Sequence, residues 1–194
     1  MKLLRSALVV TAAVVVPLLP TAAHADRYVH SDVAGDVASS VGSSTTFTPA
    51  PERVVGDVVS SMVNHKRRTV VLRLQYRDLA NDSEYDEHVF FVHTSKMNRV
   101  VRLYASNAVP GGRAVMTKAN GKKVACHVGR HIDYARNTAT VIIPRSCLGQ
   151  PRWVKAGLGG VMLAGLTQAN TQWIDDALAT GTNGSATYSP KVFR

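Results

Sequence analysis

The segment TVVLRLQY, residues 69–76, alternates without a break. Val70, Leu72, Leu74 and Tyr76 fall on one face, and Val71, Arg73, Gln75 and Arg77 fall on the other. A period of two with one apolar face is that of a half-buried antiparallel strand. Just upstream, VVGDVVSSMVNH (54–65) alternates in the same way. Lys66-Arg67-Arg68 separates the two runs, so the pair reads as a hairpin.

The pattern continues in both directions. HVFFVHT (88–94) and NRVVRLYAS (98–106) form a second strand pair around Ser95 to Met97. Val109-Pro110-Gly111-Gly112 reads as a turn. Within RAVMTKANGKKVACHV (113–128), Asn120-Gly121 favours a type I′ two-residue turn, with strands on either side. Further strands run through ATVIIP (139–144) and WVKAGLGGVML (153–163). No repeat and no long amphipathic helix stands out. Eight or more short strands separated by turns predict an all-β fold, an antiparallel β-sandwich such as a jelly roll.

The first residues predict the compartment. Lys2 and Arg5 precede an apolar run from Leu8 to Leu19, and Ala23-His24-Ala25 offers small residues for signal peptidase. Residues 1–25 therefore read as a signal peptide of a secreted, extracellular protein. Residues 26–51, rich in Ser, Thr, Ala and Gly, read as an extended lead-in, and 52–194 as the sandwich domain. No other run is long enough to span a bilayer. The formal charge is +10, and loss of Lys2 and Arg5 with the leader leaves +8. The basic residues are dispersed, and no aromatic side chains interleave with them. That disposition argues against specific nucleic-acid recognition and leaves unspecific attraction to a wall polyanion.

CHVGRHIDYARNTATVIIPRSC, residues 126–147, holds both cysteines of the chain. Two cysteines in an exported domain predict a Cys126–Cys147 disulfide. A thiolate nucleophile would need an adjacent base, and neighbouring His127 points to the opposite face of a strand. No clustered Cys/His spacing suggests zinc.

The order of features resembles a known group. Asp32-Val33-Ala34-Gly35-Asp36 opens the domain, Tyr76-Arg77-Asp78-Leu79 follows a strand pair, and IPRSCLGQPRWV spans 143–154. This layout is similar to small secreted bacterial proteins with the β-sandwich of DOMON domains and family 9 carbohydrate-binding modules. The resemblance implies a binding module, with haem or sugar as known ligands of such folds. Met62, Met97, Met116 and Met162 do not match the axial motif of haem-binding members, and neither Trp153 nor Trp173 matches the sugar clamp.

Two acidic pairs are candidate ion ligands. Asp32 and Asp36 flank Gly35, and Asp175-Asp176 lie near the other end. Calcium takes six to eight oxygens, mostly from carboxylates and carbonyls on turns. Chain termini often lie close together, so the pairs are expected to converge on one Ca2+ site. A second acidic stretch, DLANDSEYDE (78–87), holds Asp78, Asp82, Glu84, Asp86 and Glu87. It reads as an exposed loop, with a glycosidase carboxylate pair as the alternative. A G-x-S-x-G nucleophile elbow is absent. The expectation is a monomeric, secreted, non-enzymatic binding or structural module for carbohydrate, cell-wall polymer or protein. No cofactor is required, with Ca2+ as a candidate ligand. The alternatives are a secreted glycan hydrolase using residues 78–87 and a haem or redox module of DOMON type.

Overall fold

The computed structural model describes residues 27–80, 85–163, 171–181 and 185–194. The signal peptide reading of 1–25 lies outside the described residues, as do Asp82 and Glu84 of the acidic stretch. Thirteen strands are described among these residues, and they form two antiparallel sheets.

The smaller sheet runs in the order β1 (Arg27–Ser31), β4 (Val58–His65), β5 (Thr69–Tyr76), β10 (Thr138–Pro144), β9 (Gly129–Asp133). The larger runs β3 (Thr48–Pro49), β2 (Ala38–Val41), β12 (Thr171–Asp176), β11 (Trp153–Leu163), β6 (Tyr85–Thr94), β7 (Asn98–Ser106), β8 (Val109–Lys118). A short β13 (Val192–Phe193) also pairs with β11. The segment read as a lead-in is extended, and its strands are hydrogen-bonded into both sheets: β1 against β4, β2 against β12.

The core follows from the alternation. Val70, Leu72, Leu74 and Tyr76 are all at most 1% exposed, while Arg73 between them is exposed. They meet Phe90, Val92, Val101, Leu103 and Leu158 from the facing sheet. A Leu or Phe side chain so enclosed contributes about 1.5–3 kcal/mol. The Lys66-Arg67-Arg68 turn joins β4 to β5, and the residues after Thr94 turn β6 into β7, as the patterns predict. No helix among the described residues is long and apolar enough to cross a membrane.

Two local expectations need correction. Val109 to Gly112 is not a turn but the start of β8, with the register shifted between Tyr104 and Ser106. Gly112 has φ +66°, so the glycines are absorbed as an irregularity within the strand rather than as a reversal. The chain does reverse at Asn120-Gly121, but not through a type I′ turn: Gly121 N–H donates to Lys118 O at 3.0 Å, and of the two residues only Gly121 takes a positive φ, +79°. Its return arm stays paired only as far as Val124, whose N–H donates to Met116 O at 2.9 Å. The chain must then leave the larger sheet to enter β9 of the smaller one, so Cys126 lies on a crossover and not on a strand. The Cys126–Cys147 disulfide ties this crossover to the 3-10 turn Arg145–Leu148 that ends β10. The staple therefore sits where the strand ladders do not reach.

Candidate metal centre

Asp32 follows the last residue of β1, and Asp36 lies four residues on, in the turn toward β2. Gly35 between them takes φ +83°, and an added Cβ would lie 3.3 Å from Pro51 O. Only glycine takes that conformation without strain, so Gly35 is what turns the chain back and brings Asp36 beside Asp32. Asp175 is the penultimate residue of β12 in the opposite sheet, on its inward face. One carboxylate oxygen from each of Asp32, Asp36 and Asp175 lies within 4.8 Å of the other two.

The fourth predicted residue, Asp176, is not part of this group. Successive strand residues face opposite sides. Asp176 accepts from Leu178 N–H at 3.2 Å through Oδ1 and from Thr187 N–H at 2.7 Å through Oδ2. Both its oxygens are occupied in holding the chain after β12.

A fourth carboxylate that the sequence reading passed over stands beside the three. Asp57 precedes β4 and is fully buried. Its Oδ2 accepts from Gly35 N–H at 2.9 Å and pairs with Arg77 at 2.8 Å. Its only signal in the sequence is a Gly-Asp step at the entrance to an apolar strand.

The hydrogen bonding of these four residues is uneven in one consistent way. Asp32 accepts from Val33 N–H at 3.0 Å, Asp36 from Gly181 N–H at 2.7 Å, and Asp175 from Val58 N–H at 2.6 Å. Asp57 uses its Oδ2 as described. In each case the other oxygen is buried and has no partner among the described residues: Asp32 Oδ2, Asp36 Oδ1, Asp57 Oδ1 and Asp175 Oδ1. A buried charged group without a partner is costly, on the order of several kcal/mol.

Electrostatics register the crowding. Burial, with the charges of Asp36, Asp176 and Asp57 added, pushes the Asp32 carboxyl up to about 7. Burial, with Asp32, Asp36 and Asp57 nearby, pushes Asp175 to about 8. Burial raises Asp176 as well. Arg77 neutralises one carboxylate through its pair with Asp57.

The donor set is all oxygen and suits a hard cation. Calcium–oxygen distances of about 2.3–2.6 Å put oxygens on opposite sides of an ion about 4.6–5.2 Å apart. Three ligand oxygens that all lie within 4.8 Å of one another can therefore reach one ion together. Backbone carbonyls and water would complete six to eight ligands.

The other candidates separate. Asp86 is buried on the core face of β6, whereas Glu87 lies on the outward face and pairs with Arg102. Those two carboxylates face opposite sides of one sheet, so they cannot flank a common glycosidic bond. Met116 and Met162 are buried in the core. Trp153 carries Lys191 Nζ 4.6 Å from its ring centroid, and Trp173 carries the Arg53 guanidinium at 4.1 Å. Both indoles therefore have a cation over the ring. No family model, curated protein or solved structure matches the chain.

Proposed function

We propose that this protein is a secreted, non-enzymatic binding module whose two sheets are clamped at one end by a calcium ion on Asp32, Asp36 and Asp175. The observation that carries the reading is the convergence of three carboxylates, each with one buried, unpartnered oxygen. Asp32 follows a strand of the smaller sheet, and Asp175 lies next to the end of a strand of the larger one. An ion between them joins the sheets where no ladder can.

The leader-like residues 1–25 and the disulfide support an extracellular setting, where calcium is abundant at about millimolar levels and modules bind it with Kd near 10⁻⁴–10⁻³ M. The same clamp explains why carboxylates are buried here at all. Structural ions stabilise a fold by binding the native state alone. The opposed faces of Asp86 and Glu87 weigh against the hydrolase alternative.

Titration calorimetry of metal-free, exported protein with calcium tests this. One site is expected in the wild type and none in Asp175→Asn. Absence of heat, together with a melting temperature unchanged up to about 10 mM calcium, overturns the clamp.

A further inference from the structure

The outward face of the larger sheet carries a groove of about 270 Å³ whose floor is laid by β6, β7 and β11. It adjoins a depression of about 480 Å³ lined by Asp36, Asp176 and Gly181, and Phe47 borders both. Small-molecule sites commonly measure about 300–1,000 Å³. We propose that this groove binds a neutral carbohydrate. The assignment rests on the reading of the protein as a binding module, and because Asp175 borders both the groove and the clamp, the two are tested separately.

The groove exists because two outward positions of β11, Gly157 and Gly159, carry no side chains. Gly157 pairs with Phe91 and Gly159 with Val89, so the sheet surface is low along that line. A Cβ on Gly157 would lie 2.8 Å from Thr187 O, because the chain after Ser185 lies against the strand and forms one wall. Phe47, from the β2–β3 connection, forms another.

On this mostly apolar floor stands one ion pair, and the acidic residues Asp175 and Asp176 also line the groove. Arg102 Nη1 donates to Glu87 Oε1, and Tyr85 OH donates to Glu87 Oε2 at 3.2 Å. The Glu87 side chain is 11% exposed and that of Arg102 is 42% exposed. The guanidinium therefore presents donors to the groove, and Glu87 anchors it. Tyr85 and Tyr104 extend the same face, with ring centroids 5.7 Å apart.

This chemistry selects among ligands. A wholly apolar ligand would strip water from the ion pair and give nothing back. An anionic ligand would meet the acidic residues Asp175 and Asp176, which line the groove beside an ion pair that is neutral as a unit. A peptide would add itself to a sheet edge through its backbone, but β6 and β11 are central strands paired on both sides. A sugar ring has an apolar face to lay on Phe91 and hydroxyls that both donate and accept. It satisfies the aromatic walls and the Arg102–Glu87 pair together.

The test is affinity electrophoresis of the exported protein through gels holding soluble β-glucan, mannan, xylan or galactan, run in calcium. At least one gel should retard it, and the retardation should persist from about 0.05 M to about 0.5 M salt. Phe47→Ala and Arg102→Met should each weaken binding about tenfold or more at unchanged circular dichroism. Phe47 is a partly exposed loop residue, so that variant keeps the test clear of folding. Failure of every gel, binding indifferent to both substitutions, or capture of peptides alone would overturn the assignment. Cleavage of the retained polysaccharide would uphold the ligand class and refute the non-enzymatic reading. Retardation equal with and without calcium would uphold the groove and leave the clamp to its own titration.

Discussion

Asp175 Oδ2 accepts the backbone N–H of Val58 at 2.6 Å, across 117 positions of sequence. Val58 opens β4 of the smaller sheet and Asp175 is the penultimate residue of β12 of the larger. Side chain and backbone thus cross the gap between the layers at the end of the sandwich where Asp32, Asp36 and Asp57 gather. The bond spends one oxygen of Asp175 and leaves the other facing its neighbours' charges. The clamp and the groove both follow from how this end is built.

The four predicted aspartates should behave as two classes. Calcium at about 100 times its Kd should stabilise the wild type by about 2.7 kcal/mol, raising the melting temperature by about 5–10 °C for a chain of this size. Asp36→Ala should abolish that increment. Asp176→Asn should lower stability by about 1–3 kcal/mol through its lost backbone acceptors, yet keep the increment. Differential scanning calorimetry with and without chelator checks both.

Gly159→Ala should damage the metal centre without touching a ligand side chain. Its Cβ would lie 2.5 Å from Asp175 O, a backbone atom that cannot swing aside. Overpacking of this kind costs about 1–3 kcal/mol. Calcium affinity should fall with it, read by the same titration. Gly121→Ala is the comparison for backbone strain alone, because no atom lies within 4 Å of its added Cβ.

His88 should make the fold acid-sensitive. It is fully buried, with Nδ1 2.6 Å from Tyr76 OH, and burial pushes it down to about 3. Its folded value is below the unfolded one of about 6.5. The stability it contributes is therefore complete above pH ~6.5 and is lost as pH falls toward ~3. In urea titrations from pH 7 to 4, the stability gap between wild type and His88→Gln should shift steadily in favour of the variant. A gap independent of pH would show that His88 does not stay neutral in the fold.

The disulfide should be complete in exported protein, with no alkylatable thiol detected by mass spectrometry before reduction. It closes a loop with a sequence separation of 21, for which the chain-entropy model gives about 3 kcal/mol. Replacement of both cysteines by serine should cost that order of stability in denaturant titration. The calcium increment should survive, because the disulfide links the crossover before β9 to the turn after β10, away from the four aspartates.

Bases of polyanion binding can be separated by salt. With dispersed Lys and Arg and a formal charge of +8 once Lys2 and Arg5 are lost with the leader, heparin affinity should fall steeply as salt rises, since counterion release drives it. Glycan retention in the groove should not follow it.

Strand alternation determined most of the architecture, because side-chain direction along a strand is local: TVVLRLQY names its own buried face. The count of two cysteines likewise predicted the pairing that the structure contains. Local rules failed where the chain had to obey the other sheet. Gly111-Gly112 looks like a turn from its composition, yet the ladder with β7 carries it on as strand. The arm after Asn120-Gly121 looks like a strand, yet it must cross to β9. The metal centre divides in the same way. Asp32 and Asp36 are four residues apart across a glycine turn, so their convergence was legible. Which of Asp175 and Asp176 joins them depends on which face of β12 meets the smaller sheet. That is decided by β12 pairing with β11, and a one-residue shift would exchange the two. Asp57 enters only because β4 lies against β1, bringing residues 22 apart to the Gly35–Asp57 hydrogen bond. The sequence by itself determined a stapled β-sandwich with carboxylates at both ends. Which oxygens face one another, and which glycines leave a groove, was decided only by packing two sheets together, because those distances depend on residues far apart in the chain.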